Sequence, residues 1–457
     1  MHIHFRKEVL TERPVRILIL SLVASMAFVI SLLQFTDSTG KDFYQYWLVG
    51  KAQQYSNHQI GNPYVDMAKY DALLKNVVHN SSDLRLKKAS GTRQRVELFQ
   101  TPLCFLLFAQ FPASYSLSLG IFCSLALAFF LAAFMLLSSV YHVERFWFLL
   151  LALLLVIFFD PLHADLIVGN LACWQLFGLA LSLWLAHRLL NHYNFIYLTA
   201  SSLLCLQVFL TLLKPNLLPV SLLLGAHLWK RHGLRLFGPA TFTGASVGAI
   251  LIILPCLWLH SWRIWSDWFK CLGSLDNQTL FSWTRLTNFA PATLLAQTLG
   301  IGLSAAVAAL AAGIGILMMM AMVRATPPGD GGWRGWGRTV GRALGNPDLC
   351  LSAGVIVMLT LSPLVWIHYY LLTLLPALWL ISRPRRRLVN LLGWSSLFFA
   401  SGLPLKLVSV SSWGIWIAYA YASNLAFLFV GLLAIMATGE ISPGFIQKSG
   451  WRTSEGA

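Results

Sequence analysis

The chain has 457 residues, of which 57% are apolar and only 11% carry a charge, and its formal net charge is +16. Soluble domains average about 25% charged residues, so this composition excludes a soluble globular enzyme, a disordered chain and a disulfide scaffold. It predicts an all-α polytopic membrane protein. The seven cysteines contain no C-x-x-C pair, which indicates packing residues rather than a metal or disulfide framework.

Twelve apolar runs are candidates for membrane spans, each of which needs about 20 helical residues. They are 16–36, 116–140, 145–160, 172–190, 195–213, 216–229, 239–260, 298–323, 349–363, 368–382, 388–403 and 411–437. No cleavable signal peptide is predicted, because Arg16 leads into a long apolar run without a small-residue cleavage site. The chain is therefore expected to be a single membrane domain over 1–457.

A thirteenth apolar run, 98–113, decides the predicted topology. If it does not cross and the N-terminus is cytoplasmic, the basic segments 230–235, 324–342 and 383–387 lie inside, as the positive-inside rule requires. If it crosses, they lie outside. We therefore predict a re-entrant or interfacial hairpin, which the membrane tolerates where it lines a protein cavity. Most of the +16 surplus then signals orientation rather than a partner.

This topology puts both termini in the cytoplasm and leaves two larger loops on the outer face. The first, 37–97, is too large for a simple connector and is expected to carry function. The second is 261–296. On the inner side, the Gly-rich segment 324–347 predicts a flexible cytoplasmic linker.

Asp42 follows the first span within the aromatic run D-F-Y-x-Y-W. Partial burial raises the pKa of a carboxylate and makes it a competent general base. The alternative interpretation is a helix cap next to an interfacial aromatic belt.

Three other polar positions stand at predicted outer span ends. Asp160, His163 and Asp165 either cap two helix ends or form part of a site. Lys214 either extends to the interface or neutralises a lipid phosphate. His368 is predicted to open a helix, where free backbone N–H groups favour a phosphate, although a lone interfacial histidine is more often structural.

Asn277 and Gln278, in the second outer loop, would contact sugar hydroxyls or form an ordinary polar turn. The sequence has no D-x-D motif, so no metal cofactor is required, although a divalent cation is not excluded. Its basic residues flank loops instead of forming a patch with stacking aromatics, which excludes nucleic acid as a partner.

In order, these motifs resemble glycosyltransferase family 87 of the GT-C superfold, which uses polyprenol-phosphate-linked sugars. They are D-F-Y-x-Y-W from Asp42, G-N-P-Y at 61–64, Q-T-P-L at 100–103, G-N at 169–170, K-P-N at 214–216, D-N-Q-T at 276–279 and S-P-x-x-W-x-H-Y-Y at 362–370. The sequence departs from the family at Gln100-Thr101, where a Tyr-Pro-Pro-like turn is common, and at Asn170, where glutamine is frequent.

The resemblance implies an inverting GT-C-type hexosyltransferase, commonly of mannose. It would move the sugar from a polyprenyl-phosphate donor in the bilayer to a cell-envelope glycolipid or glycan on the outer face. Asp42 matches the general base, and Lys214 and His368 would hold the donor phosphate. The further substrate-binding residues that it implies are Tyr44, Gln100, Asp165, Asn170, Asn216, Asn277, Gln278 and Tyr369.

Two alternative functions are a lipid-linked sugar transporter or flippase and an O-antigen-ligase-like enzyme with a diphosphate-linked donor. A transporter needs polar residues at several mid-membrane positions, whereas the ionisable residues here cluster at one predicted face. The ligase should show an extra arginine pair outside, where only Arg93 and Arg95 lie close together.

Overall fold

The structure is a computed structural model that describes residues 13–55, 62–65, 67–92, 100–191, 195–273, 288–326, 333–383, 386–403 and 413–438. Every regular element in these ranges is a helix. The α-helices are α1 Arg13–Asp37, α2 Lys41–Tyr55, α3 Met67–Asn80, α4 Leu84–Thr92, α5 Pro102–Phe108, α6 Tyr115–Tyr141, α7 Arg145–Phe158, α8 Asp160–Val168, α9 Ala172–Asn191, α10 Ile196–Leu213, α11 Leu218–Trp258, α12 Ile264–Gly273, α13 Pro291–Leu299, α14 Leu303–Ala325, α15 Trp333–Leu344, α16 Pro347–Leu361, α17 Leu374–Ile381, α18 Arg387–Ala400 and α19 Trp413–Ala437. Two 3-10 helices span Pro215–Leu217 and Ile367–Thr373.

Within the described residues, six helices are long and apolar enough to cross a membrane, or up to eight if each of two bent helix pairs is one span. The bent pairs are α7 with α8, at 65°, and α15 with α16, at 86°. The expected all-α, multi-pass membrane character is thus confirmed. Other predicted spans form shorter helices: α18 has 14 residues, or about 21 Å, which is less than the hydrocarbon core of about 30 Å.

Helix α11 is broken at Gly233, where the chain reverses direction. Gly233 has φ 68° and ψ −178°, so it separates two helical arms. Near the start of α10, Leu203 packs in one buried cluster with Leu228 before the break and Leu236 after it. Both arms therefore pass the same end of α10, and the chain turns back at Gly233.

The close contacts of the second arm confirm its direction. A Cβ built at Gly244 would lie 3.3 Å from Leu204 Cβ, and one at Gly248 would lie 3.0 Å from Val208 Cγ1. Because both positions advance together by four residues, the second arm runs parallel to α10. The first arm returns along α10 after the turn at 214–217, so the two arms correspond to the predicted spans 216–229 and 239–260.

The run 98–113, of which residues 100–113 are described, forms the seven-residue helix α5, whose side chains are largely buried. At about 10 Å it is too short to cross the membrane by itself. It packs on α2, where a Cβ at Gly50 would lie only 2.7 Å from the backbone nitrogen of Ala109. The segment thus packs beside the predicted loop 37–97.

The predicted loops also contain helices. Within 37–97 lie α2, α3 and α4, and within 261–296 lie α12 and the start of α13. Asn62 Nδ2 donates to Asp267 Oδ2 at 2.7 Å, which ties the first loop to α12.

The segment 324–347, predicted as a flexible linker, contains the helix α15. Its Thr339 is completely buried, and its hydroxyl lies 3.2 Å from that of Thr326. The second half of this segment is therefore packed against the helical bundle.

Candidate functional site

Helix α2 carries Asp42 in its first turn, where a carboxylate interacts favourably with the positive end of the helix dipole. The chain enters α2 through Gly40, which has φ +60°, and a Cβ there would lie 2.6 Å from Leu119 Cδ1. Only glycine fits this conformation and this spacing. The hydroxyl of Tyr115 donates to the carbonyl oxygens of Gly40 and of the preceding residue, at 3.0 and 2.7 Å. The start of α2 is therefore fixed on α6.

The connection from α8 to α9 brings a second polar side chain to Asp42. Gly169 ends α8 with φ +69°, and a Cβ at this position would lie 2.6 Å from Phe43 Cβ. This close approach places Asn170 beside α2, and its Nδ2 donates to Asp42 Oδ2 at 2.7 Å. Asp42 itself is 7% exposed.

Asn170 makes further hydrogen bonds within the protein. Its Nδ2 lies 3.3 Å from the Tyr46 hydroxyl, and its Oδ1 accepts from the backbone N–H of Leu171 at 2.7 Å. Both ends of the amide thus have protein partners. The family resemblance implies substrate binding for Asn170. In the structure its amide bonds to Asp42 and positions this carboxylate.

Lys214, between α10 and the following 3-10 helix, reaches the same group of side chains. It is 6% exposed, and its ammonium donates to the Tyr369 hydroxyl at 3.4 Å. The Nζ atom lies 5.8 Å from the ring centroid of Tyr46 and 5.7 Å from that of Tyr369, within range of cation–π attraction.

The charge of Lys214 is maintained by its surroundings. Burial lowers the pKa of Lys214, but the neighbouring Tyr369, Cys104 and Asp42 groups together raise it more strongly. Its pKa therefore lies above the ordinary value, and the side chain is a cation at neutral pH. A buried cation that faces aromatic rings and interacts electrostatically with a carboxylate is able to hold an anionic group.

His368 joins this group through Tyr369, since their ring centroids lie 4.6 Å apart. It is 3% exposed and lies in the 3-10 helix 367–373. The preceding segment is held by Asn288, whose Nδ2 donates to the Pro363 carbonyl at 2.8 Å and whose Oδ1 accepts from Val365 N–H at 2.9 Å. The helix start predicted at His368 is therefore the first turn of a 3-10 helix, not of an α-helix.

The Q-T-P-L turn lies directly beside Lys214. The hydroxyl of Thr101 donates to the Leu213 carbonyl at 3.3 Å and also caps α5. Gln100 contributes its backbone carbonyl, which accepts from the Tyr64 hydroxyl. The run 98–113 therefore adjoins Lys214 through Thr101.

Asn216 follows Lys214 by two residues and bonds to α9. Its Oδ1 accepts from Gln175 Nε2 at 3.3 Å, and Gln175 is completely buried in α9. Gln175 was not predicted, although a glutamine in an apolar run is itself a signal of a functional or interhelical contact. Tyr46 was also missed, although it lies four residues after Asp42 on the same helix face.

Two predicted substrate contacts have different surroundings. Asp165 is completely buried, and its two carboxylate oxygens accept from the backbone N–H groups of Ala172 and Cys173, each at 3.1 Å. It caps the start of α9, the alternative that the sequence left open. Tyr44 packs towards Tyr115, with ring centroids 6.3 Å apart.

Asn277 and Gln278 lie outside the described residues. Within the described ranges, no group of three His, Cys, Asp or Glu side chains is arranged to hold a metal ion.

We name the gathered residues the Asp42–Lys214 cluster; it consists of Asp42, Tyr46, Asn170, Lys214, His368 and Tyr369. It combines a buried carboxylate, a buried ammonium and an imidazole within aromatic walls. The carboxylate is able to take a proton, and the ammonium, which interacts electrostatically with it, is able to hold an anion. Comparisons with protein family models, with curated proteins and with solved structures found no match to this chain.

Proposed function

We propose that the protein is a membrane hexosyltransferase that uses a polyprenyl-phosphate-linked sugar, commonly mannose, and glycosylates a cell-envelope glycolipid or glycan. The single observation that carries the proposal is the Asp42–Lys214 cluster. Its carboxylate and its cation come from segments 172 residues apart in the chain. Tyr46 links them: its hydroxyl lies 3.3 Å from the Nδ2 of Asn170, which bonds to Asp42, and its ring centroid lies 5.8 Å from Lys214 Nζ. A carboxylate and a phosphate-binding cation are the two groups that an inverting sugar transfer from a lipid phosphate requires.

The proposed reaction balances with these groups alone. The Asp42 carboxylate accepts the proton of the acceptor hydroxyl as its oxygen attacks the anomeric carbon. The bond between that carbon and the phosphate oxygen breaks, and the electron pair stays on the phosphate. Lys214 and His368 stabilise the charge that develops there. Tyr369, Asn216 and Gln100 border this region.

The resemblance in sequence motifs supports a GT-C-like arrangement with about twelve spans and a re-entrant segment at 98–113. The reversal at Gly233 supports two of those spans. In this arrangement the protein lies in a bacterial inner membrane, with the cluster at the outer face and both termini in the cytoplasm. A lipid-borne phosphate would then lie at the same depth as Lys214.

The test is reconstitution in liposomes with polyprenyl-phosphate-mannose and a glycolipid acceptor extract. Wild-type protein is expected to form a new glycosidic bond, and Asp42→Asn to lose at least about 100-fold in rate, the usual scale of general-base loss. Asp267→Asn is a matched control, because it removes a carboxylate of α12 outside the cluster. Lys214→Met should raise KM for the donor.

Equal transfer by Asp42→Asn and wild type would refute the proposed base. Movement of the sugar lipid between leaflets without a glycosidic bond would instead establish the transporter alternative.

A further inference from the structure

A cavity lies on the other side of α2 from Asp42, between α3, α4 and the start of α6. Its volume is about 790 Å³, within the range of about 300–1,000 Å³ that is usual for small-molecule sites. Arg85 lies 4.2 Å over the ring of Phe35, near the end of α1, and Ser116 lies in the first turn of α6. The cavity therefore opens at the same end of the bundle as Asp42. We name it the α3–α4 cleft.

The polar side chains in the walls of the α3–α4 cleft are mostly neutral, and Val77, Leu84 and Leu86 line it beside them. Asn76, Asn80 and Ser82 are exposed on one wall, and Ser114 on the opposite one. Asn80 Nδ2 donates to Asn76 Oδ1 at 2.8 Å, which holds the two amides side by side. Amides and hydroxyls both donate and accept hydrogen bonds, so this wall matches a ligand with many hydroxyl groups.

The two charged side chains of the described lining, Asp83 and Arg85, have opposite charges, so their net charge is zero. The Asp83 carboxylate accepts from Ser116 N–H at 2.9 Å, Ser116 Oγ at 2.8 Å, Arg85 N–H at 3.0 Å and Leu86 N–H at 3.2 Å. Among the described lining residues, Arg85 is the single cation, and it stacks on Phe35. One satisfied anion and one stacked cation disfavour a phosphate or a polycation and favour a neutral ligand.

The floor of the cleft is the back of the helix that carries Asp42. Trp47 and Tyr115 form this floor, with ring centroids 5.3 Å apart. Trp47 follows Asp42 by five residues, about 7.5 Å along the axis and about 140° around it. The cleft therefore does not touch the Asp42–Lys214 cluster, because the buried helix α2, about 10 Å across, separates the two.

We infer that the α3–α4 cleft binds neutral carbohydrate and serves as an accessory site for the distal sugar rings of a long glycan acceptor. This inference rests on the proposed function. It makes the enzyme select acceptors by glycan length. Contacts remote from the reacting atoms improve binding of long acceptors and leave the donor reaction unchanged.

The binding test uses α-linked mannotriose and methyl α-mannoside as probes, with saturation-transfer NMR on the full-length protein in detergent. The wild type is expected to give a strong signal with the trisaccharide. Ser82→Trp, which fills the cleft, is expected to reduce it at least five-fold. Lys88→Trp is the matched control, since Lys88 is exposed on α4 but does not line the cleft. Asn80→Leu is a second, smaller change in case Ser82→Trp impairs folding.

The activity test separates this inference from the proposed function. With a long glycan acceptor, Ser82→Trp and Asn80→Leu should raise KM about ten-fold, while hydrolysis of the donor by water and transfer to a monosaccharide acceptor stay at wild-type rates. Wild-type trisaccharide signals in both cleft variants, together with an unchanged KM, would overturn the inference and leave the transferase intact. Trisaccharide binding by a wild type without any transfer would overturn the proposed function instead.

Discussion

The side chain of Asn170 bonds to Asp42, Tyr46 and the backbone of Leu171. Because it holds the proposed base, its loss should affect kcat more than substrate binding. Asn170→Ala is expected to lower kcat by about 10- to 100-fold, corresponding to the loss of about 1.5–3 kcal/mol from a hydrogen bond to a charged group. KM for the donor should change less than three-fold, and Asn170→Gln should restore part of kcat. Steady-state kinetics provide the measurement; a rise in KM at unchanged kcat would make Asn170 a substrate contact.

Asp83 provides a pH-dependent contact outside the membrane spans. Burial raises the pKa of Asp83, but hydrogen bonds from Ser116, Leu86 and Arg85 lower it more, so its pKa in the folded state lies below the ordinary value. The stabilisation is therefore fully present above the unfolded pKa of about 3.9 and is lost as the pH falls through the folded value.

Helix α4 should consequently lose protection at acidic pH. Hydrogen exchange of the 84–92 amides in the wild type is expected to accelerate as the pH falls below about 4, after correction for the intrinsic pH dependence of exchange. Asp83→Asn retains a capping side chain without the titrating charge, so its corrected exchange should stay flat. A wild type and a variant with parallel profiles would remove Asp83 as the cause.

Among single residues, the sequence predicted Asp42, Lys214 and His368, because a polar residue beside an apolar run can be recognised from the sequence alone. It left Asp165 undecided between capping and function. That choice depends on which backbone N–H groups of α9 face the carboxylate, and only the folded connection supplies this information. Tyr46 was hidden among neighbouring aromatics that all suit an interfacial belt.

At the scale of elements, the α8–α9 connection depends on Gly169. A residue with a Cβ would have to adopt the left-handed conformation here, at a cost of about 1–2 kcal/mol. Its Cβ would also lie only 2.6 Å from Phe43 Cβ. Gly169→Ala is expected to lower the melting temperature in detergent by several degrees and to reduce sugar transfer at least ten-fold by moving Asn170. Gly225→Ala in α11 is the control, because a Cβ there meets nothing within 4 Å; it should be neutral or slightly stabilising. Equal melting temperatures for all three proteins would show that this connection adapts freely.

The apolar runs located most helices, since hydropathy and length are read directly from the sequence. They did not reveal that the loop 230–238 consists of a turn at Gly233 between two abutting helical arms. They also did not reveal α15 within the glycine-rich linker. Thr339 is buried there by α14 and its neighbours, and such tertiary packing overrides the low helix propensity of glycine.

For the whole molecule, the predicted orientation makes opposite ends of the bundle accessible from opposite sides. Lys88 on α4 and Arg235 beside Gly233 are both exposed. In a background with Cys205 and Cys271 replaced by serine, an impermeant maleimide should label Lys88→Cys in spheroplasts. Arg235→Cys should react only after permeabilisation. Labelling of Arg235→Cys alone in intact spheroplasts would invert the topology and put the Asp42–Lys214 cluster in the cytoplasm.

The reversal at Gly233 has a consequence for biosynthesis. The first arm of α11 has about 15 residues, or about 22 Å, so it is too short to be retained in a bilayer as an independent stop-transfer segment. Its longer successor must emerge from the ribosome before either arm is stably inserted. Lys230 and Arg231 at the turn meanwhile resist translocation. The two arms are therefore expected to enter the membrane together, as a helical hairpin.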